Sequence, residues 1–279
     1  LDNVLQDYID RAPEKMADAV YSATRERSVG LGLMGFHSLL QSKGIPFESG
    51  MAKAINNRLF KHIRKAADAA SVKLAHERGP CPDAEEAGMM ARFSHKMAVA
   101  PTASISIICG GTSAGIEPIP ANIYTHKTLS GSETVRNKQL EIVLEKKGMN
   151  TEEIWSSILE NEGSVSHLEC LDDDEKAVFR TAFEVDQRWI IELAADRAPL
   201  ICQSQSLNIF IPADVNKWDL HMLHWTAWEK GVKSLYYCRS KSIQRAAFAG
   251  SMNDNKLSDM EKSMQAAAPT DFEECLACQ

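Results

Sequence analysis

No window of this sequence approaches the roughly 18 uninterrupted apolar residues that a membrane-spanning helix needs. No Lys/Arg-rich run stands out either. Thirty-one basic against 38 acidic residues leave a net charge of −7, so neither a nucleic-acid partner nor a membrane-surface partner is expected. The opening "LDNVLQDYIDRAPEK" has no signal- or transit-peptide character and no initiator Met; a start processed or cut from a larger precursor is expected. An even cysteine framework is also missing. The seven cysteines are Cys81, Cys109, Cys170, Cys202, Cys238, Cys275 and Cys278. Their odd number and the scatter of the first five exclude a secreted disulfide scaffold and suit a reducing compartment, here the cytoplasm. A Gly-x-x-x-x-Gly-Lys phosphate loop is absent, and no internal repeat is visible.

What is present is ordinary globular material. The 279 residues, 44% hydrophobic and 25% charged, can bury a sizeable core as one large domain or two small ones. Apolar spacing predicts a helix over 51–78 with Ile55, Leu59, Ile63, Ala66, Ala70 and Leu74 on one face, stopped by Gly79 and Pro80. A second helix is expected over 28–44, although Gly30, Gly32 and Gly35 weaken it. Those glycines make sense where another backbone passes close by. Residues 96–111 read as a strand entering a Ser/Thr/Gly loop. Further helices are expected over 136–147, after an Asn150/Glu153 capping box, over 174–196 and over 214–231. "SQSLNIFI" and "VKSLYYC" read as strands. From about Phe248 large apolar side chains almost vanish. Residues 1–247 are therefore expected to form the folded body and 248–279 a mobile tail.

Three local features carry chemistry. Cys275 and Cys278 form C-x-x-C with no further His or Cys nearby, which suits a dithiol better than half a metal site; two stray thiols are the plain alternative. In "PTASIS", Thr102 and Ser104 would donate side-chain bonds to phosphate oxygens while Ala103 and Ile105 offer amides, most simply at a helix start; a Ser/Thr-rich turn is the alternative. Tyr236 and Tyr237 are adjacent, and only five tyrosines occur in the chain. Strand neighbours point to opposite faces, so the pair is either two unrelated aromatics or a stacked pair able to pass an electron and a proton.

Taken in order, "SVGLGLMGF", "MAVAPTASISIICGGTSAGIEPIPANIYTHKTLSG", "VDQRWIIELAADRAPLICQSQSLNIFI", "EKGVKSLYYCRS" and "CLACQ" resemble the C-terminal portion of the large (alpha) subunit of class I ribonucleotide reductase. The "IEP…NIYT…LSG" run is similar to the branch shared by eukaryotic and many viral enzymes. The resemblance implies an α/β fold, the second half of a ten-stranded α/β barrel, helix-rich and followed by the tail. It implies that Tyr236 and Tyr237 stack and relay a radical between the small subunit and an active-site cysteine. Adjacent stacking then needs a strand end or a bulge. It also implies that Thr102, Ala103, Ser104 and Ile105 hold the substrate diphosphate; family members often carry a hydroxyl residue where Ile105 stands. Cys275 and Cys278 would re-reduce the active-site disulfide.

No "N-x-C-x-E" motif occurs here; the radical cysteine and the reducing pair belong upstream. The implied partners are a separate N-terminal half of the large subunit, a small (beta) radical-generating subunit, thioredoxin or glutaredoxin, and a ribonucleoside diphosphate. No cofactor or metal is expected on this chain itself. A metal-radical cofactor is expected in the small subunit and allosteric nucleotides on the N-terminal part. Cys81, Cys109, Cys170 and Cys202 read as structural or incidental, and Cys238 as a packing residue. Two other functions remain open: a non-catalytic fragment that docks the small subunit, and an independent thiol oxidoreductase, which would need a thioredoxin-like setting around the C-x-x-C.

Overall fold

Gly30 and Gly32 sit where two backbones touch. In the computed structural model, which describes residues 1–128 and 131–240, residues 28–33 run extended beside 95–99. Leu31 pairs in parallel with Met97. A Cβ on Gly32 would lie 2.4 Å from the Ala98 carbonyl oxygen, and one on Gly30 3.2 Å from the Ala98 Cβ. The glycines mark a close approach, as their setting suggests. They do not lie in a helix, because the expected helix over 28–44 is confined to Phe36–Ser42. Val99 in turn pairs in parallel with Gln205, and Ile209–Ile211 with Cys238–Ser240. Four extended segments therefore lie side by side and parallel, in the order 28–33, 96–99, 203–211 and 236–240.

The elements in chain order begin with α1 (Asp2–Arg11), α2 (Ala17–Glu26), α3 (Phe36–Ser42), α4 (Gly50–Arg78), α5 (Pro82–Glu86) and α6 (Ala103–Ile108). Then come an antiparallel hairpin of β1 (Ile123–Thr128) and β2 (Gly131–Arg136), followed by α7 (Lys138–Lys146), α8 (Glu152–Glu160), α9 (Asp173–Val178) and α10 (Gln187–Arg197). The last are β3 (Ile209–Ile211), α11 (Lys217–Glu229) and β4 (Cys238–Ser240). The tail and the boundary expected after residue 247 lie outside the described residues. No helix among the described residues is long and apolar enough to cross a membrane.

Several expected elements move. The strand read over 96–111 ends at a bridge, and α6 takes up its second half. The single helix expected over 174–196 is two helices. Between them Ala182 N–H donates to the Ile119 carbonyl, Asn122 Nδ2 to the Phe179 carbonyl, and Asp186 N–H to Glu48. These backbone groups find partners outside the helix, so the chain turns without leaving them unpaired. Asn150 is not a cap. Thr151 caps α8, and Asn150 Oδ1 accepts from Trp155 Nε1 at 2.7 Å. The capping box is at Asp172 and Glu175 instead. On α4 the buried side is Ala52, Asn56, Phe60, Ser71 and Ala75, while Ala66 and Ala70 are exposed. The first residues form the helices α1 and α2. Asp2 anchors them, accepting from Arg27, Arg78 and Arg92 at 2.7, 2.7 and 3.1 Å. Burial alone would raise its carboxyl; the three guanidiniums hold it below the usual carboxylate range.

The main core lies between α3, α4, α10 and the extended segments, with Phe36, Phe47, Phe60, Met97, Ile190 and Leu207 inside it. A second cluster forms under α7, α8 and α9 around Trp155. His37 is fully buried in the main core, edge-on to Phe47 at 5.5 Å. Its Nδ1 accepts from the Ile119 N–H at 3.0 Å, so Nε2 carries the proton. Burial pushes its pKa down to about 3, against a smaller opposing effect of the Val178 carbonyl. The unfolded chain binds a proton near pH 6.5 that the folded chain refuses. Stability from this group is thus complete above pH 6.5 and falls as pH drops towards 3. A loss of about 2 kcal/mol between pH 6.5 and 5 is expected from His37. Urea titrations at the two pH values check it; a His37→Gln variant should lose this part of the slope.

Candidate active site

Tyr236 and Tyr237 lie immediately before β4, and their hydrogen bonds show why both rings reach one side. In a regular parallel ladder one residue both donates its N–H to residue i−1 and accepts from residue i+1 of its neighbour. Here the two jobs are split. Tyr236 N–H donates to the Leu207 carbonyl at 2.8 Å, and the Tyr237 carbonyl accepts from Ile209 N–H at 2.9 Å. Two residues therefore stand opposite Asn208 alone, which is a β-bulge. The extra residue shifts the side-chain alternation by one. The phenol rings come together with centroids 4.1 Å apart and planes at 47°. Both residues are partly exposed, at 43% and 42%. The strand expected over "VKSLYYC" accordingly starts only at its last residue, Cys238, and runs on to Ser240.

The bulge leaves Tyr237 N–H without a ladder acceptor. Asn208 Oδ1 takes it at 3.0 Å. Asn208 is itself held by Glu117, whose Oε1 accepts from the Asn208 backbone N–H and whose Oε2 accepts from Nδ2 at 3.0 Å. Burial pushes the Glu117 carboxyl up, opposed by the two Asn208 bonds and by the more distant Arg239 and Arg197 guanidiniums. The Arg239 guanidinium lies over the Tyr237 ring, 5.6 Å from its centroid.

A cavity of about 280 Å³ opens beside this group, lined among others by Pro101, Ala103, Glu117, Asn208, Tyr236 and Arg239. It brings Pro101 and Ala103 of the "PTAS" loop to the same place as Tyr236, while Thr102, Ser104, Ile105 and Tyr237 are not part of its lining. Thr102 precedes α6 in the left-handed region, φ 56°, which is strained for a β-branched residue. Its Oγ1 accepts from Gly115 N–H at 2.8 Å, so the oxygen is partly committed within the protein while the hydroxyl proton stays available. Ser104 and Ile105 are exposed. The amides of Ala103, Ser104 and Ile105 belong to the first turn of α6 and have no helical acceptor.

The thiols are dispersed. Cys81 is buried, Cys170 and Cys202 are partly buried, and Cys109 and Cys238 are exposed. Cys238 is therefore not the packing residue expected. Cys202 Sγ accepts from the Lys96 and Met97 N–H groups at 3.0 Å each. Cys275 and Cys278 lie outside the described residues. Among the described residues no group of three or more His, Cys, Asp or Glu gathers as a metal site would. Sequence reasoning assigned no role to Glu117, Asn208 or Arg239. Glu117 and Asn208 sit in the "GIEP" and "SLNIF" runs, and only the fold shows that those runs meet.

The description "Ribonucleotide reductase, barrel domain" belongs to the family that matches residues 2–90 and 83–238. The chain belongs to that family. The ribonucleotide reductase barrel accounts for its parallel segments and surrounding helices. The chain is 47% identical over 251 residues to the ribonucleoside-diphosphate reductase large subunit of Invertebrate iridescent virus 6, covering 88% of this chain and 26% of that protein. It is 42% identical to a putative large subunit of Frog virus 3, over 100% of this chain and 47% of that one. Among solved structures the alpha subunit of the class Id ribonucleotide reductase of Actinobacillus ureae superposes with a TM-score of 0.80 at 39% identity, covering 88% of this chain and 46% of that one. The chain spans less than half the length of each of these relatives.

Proposed function

We propose that this chain is the C-terminal part of the catalytic subunit of a ribonucleoside-diphosphate reductase, a cytoplasmic enzyme that replaces the ribose 2′-hydroxyl with hydrogen by radical chemistry. The carrying observation is the Tyr236–Tyr237 pair, with ring centroids 4.1 Å apart, beside the cavity that Pro101 and Ala103 of the "PTAS" loop also line. In this reading the pair relays an electron and a proton from a small, metal-radical subunit. Thr102, Ala103, Ser104 and Ile105 hold the substrate diphosphate, Cys275 and Cys278 supply reducing equivalents drawn from thioredoxin or glutaredoxin, and a separate N-terminal half contributes the radical cysteine and the effector sites. Exposed Trp218, Trp225 and Trp228 on α11, at 65%, 47% and 70%, support a chain that works against other surfaces. An independent thiol oxidoreductase has less support, because the family model that matches residues 2–90 and 83–238 is a ribonucleotide reductase barrel domain. Mixing the chain with the N-terminal half, the small subunit and a dithiol should give ribonucleoside-diphosphate reduction. Turnover by the lone chain, or none by the full mixture, would refute this reading.

The loop makes a quantitative prediction. Thr102→Val with Ser104→Ala removes two hydroxyl donors facing a charged diphosphate, each bond being worth roughly 1.5–3 kcal/mol. The dissociation constant for substrate should rise about 100-fold or more in the reconstituted enzyme. Equilibrium binding of a ribonucleoside diphosphate measures it. Val also loses the bond to Gly115 N–H, so Ser104→Ala alone gives the cleaner part of the effect. An unchanged dissociation constant returns "PTAS" to an ordinary turn.

A further inference from the structure

We propose, resting on the relay reading above, that Glu117 and Asn208 are positioning residues: they clamp the bulge at Tyr237 and so set the geometry of the tyrosine pair. The bulge creates one backbone donor with no ladder partner, and an orphaned donor is costly wherever water cannot replace the lost bond. Asn208 stands directly opposite, and its Oδ1 fills the gap at 3.0 Å. Asn can present either its oxygen or its NH₂ to a neighbour. An NH₂ turned towards Tyr237 N–H would set donor against donor. Glu117 decides the matter. Its Oε2 accepts from Nδ2 at 3.0 Å, which leaves Oδ1 facing Tyr237 N–H.

The other Glu117 oxygen accepts from the Asn208 backbone N–H, which fixes the main chain of the single residue opposite the bulge. Both carboxylate oxygens are thus spent on one residue. No ion pair among the described residues involves Glu117; Arg197 and Arg239 act on it only at longer range. This is the arrangement of an orienting group. Its effect passes from Glu117 through Asn208 to the main chain of Tyr237. The Tyr237 ring then follows, because its carbonyl is tied to Ile209 N–H and its amide to Asn208. Loosening the clamp frees the extra residue to slide back towards regular alternation, which turns one ring away from the other.

The test reads the two tyrosine amides separately. The full 279-residue chain labelled with ¹⁵N-tyrosine gives one amide signal for each of its five tyrosines, assigned with Tyr236→Phe and Tyr237→Phe. Asn208→Ala should speed hydrogen exchange at Tyr237 about tenfold, the scale of one lost hydrogen bond. Glu117→Gln, which keeps shape and volume, should speed it about threefold, on the order of half that effect. The Tyr236 amide, held by the Leu207 carbonyl, should stay within about twofold. A variant that merely destabilised the protein would accelerate both amides together, and that outcome overturns the clamp, as does an unchanged Tyr237 amide. In the reconstituted enzyme Glu117→Gln should lower kcat and leave KM unchanged. The exchange measurement needs no turnover. A failed enzyme assignment therefore leaves the clamp standing, and a failed clamp leaves the enzyme assignment standing.

Discussion

Tyr236→Phe and Tyr237→Phe are each expected to abolish turnover of the reconstituted enzyme while leaving the fold in place. Phe keeps the ring, its area and its packing, and removes only the oxidisable O–H. Both tyrosines are close to half exposed, so their hydroxyls can exchange protein contacts for water, and the loss in stability should stay within about 1 kcal/mol. The pair distance of 4.1 Å and the bulge that produces it are properties of the backbone and should survive in either variant. Loss of activity must then come from the missing phenol. The stall comes at the first turnover, since radical transfer precedes any use of reductant. Single-turnover product analysis with no added reductant, beside a thermal scan, checks both halves. Full activity in either variant would remove that residue from the relay.

Why this pair was visible in the sequence, and its support was not, is a matter of range. "YY" is contiguous, and a strand rule is enough to show that two adjacent phenols on one face need an irregular backbone. The bulge itself depends on Leu207, Asn208 and Ile209, some thirty residues away, and on which of two residues takes each hydrogen bond. Glu117 lies ninety residues further back, on a stretch without regular structure, where no periodicity announces it. The glycines at 30 and 32 were legible as marks of close approach because the missing Cβ is a local fact. Their partner, Ala98, was not. The break between α9 and α10 escaped for the opposite reason. Residues 174–196 carry helical apolar spacing throughout, and what interrupts them is a set of tertiary bonds from Ile119, Asn122 and Glu48. Tertiary partners overrode a local pattern that was itself read correctly. The face of α4 shifted likewise, since its Asn56 and Ser71 are buried by hydrogen bonds rather than by hydrophobicity: Asn56 Nδ2 donates to the Leu193 carbonyl at 2.9 Å, and Ser71 Oγ accepts from Arg92 N–H at 3.1 Å.

Cys275→Ser and Cys278→Ser should each allow one normal turnover and then stall the enzyme when the reductant is a protein. Both cysteines lie outside the described residues, and the stall follows from thiol–disulfide chemistry alone. Each turnover oxidises two active-site thiols, on the N-terminal half in this reading, to a disulfide. Thiol–disulfide exchange needs a thiolate in direct contact with the disulfide sulfur, followed by a second thiol that resolves the mixed disulfide. With both cysteines present, the C-x-x-C thiols become a disulfide as the active-site pair is reduced, and thioredoxin or glutaredoxin then reduces the terminal pair. Without Cys275 or Cys278 one of the two steps has no sulfur to perform it. A small dithiol supplies both sulfurs itself and should restore multiple turnovers at least in part. It cannot rescue the tyrosine variants, which fail before any disulfide forms. The four variants, Tyr236→Phe, Tyr237→Phe, Cys275→Ser and Cys278→Ser, therefore divide cleanly by the turnover at which they stop and by their response to dithiol. Sustained turnover of either Cys→Ser variant with thioredoxin or glutaredoxin would reduce "CLACQ" to two stray thiols and place the reducing function elsewhere in the assembly.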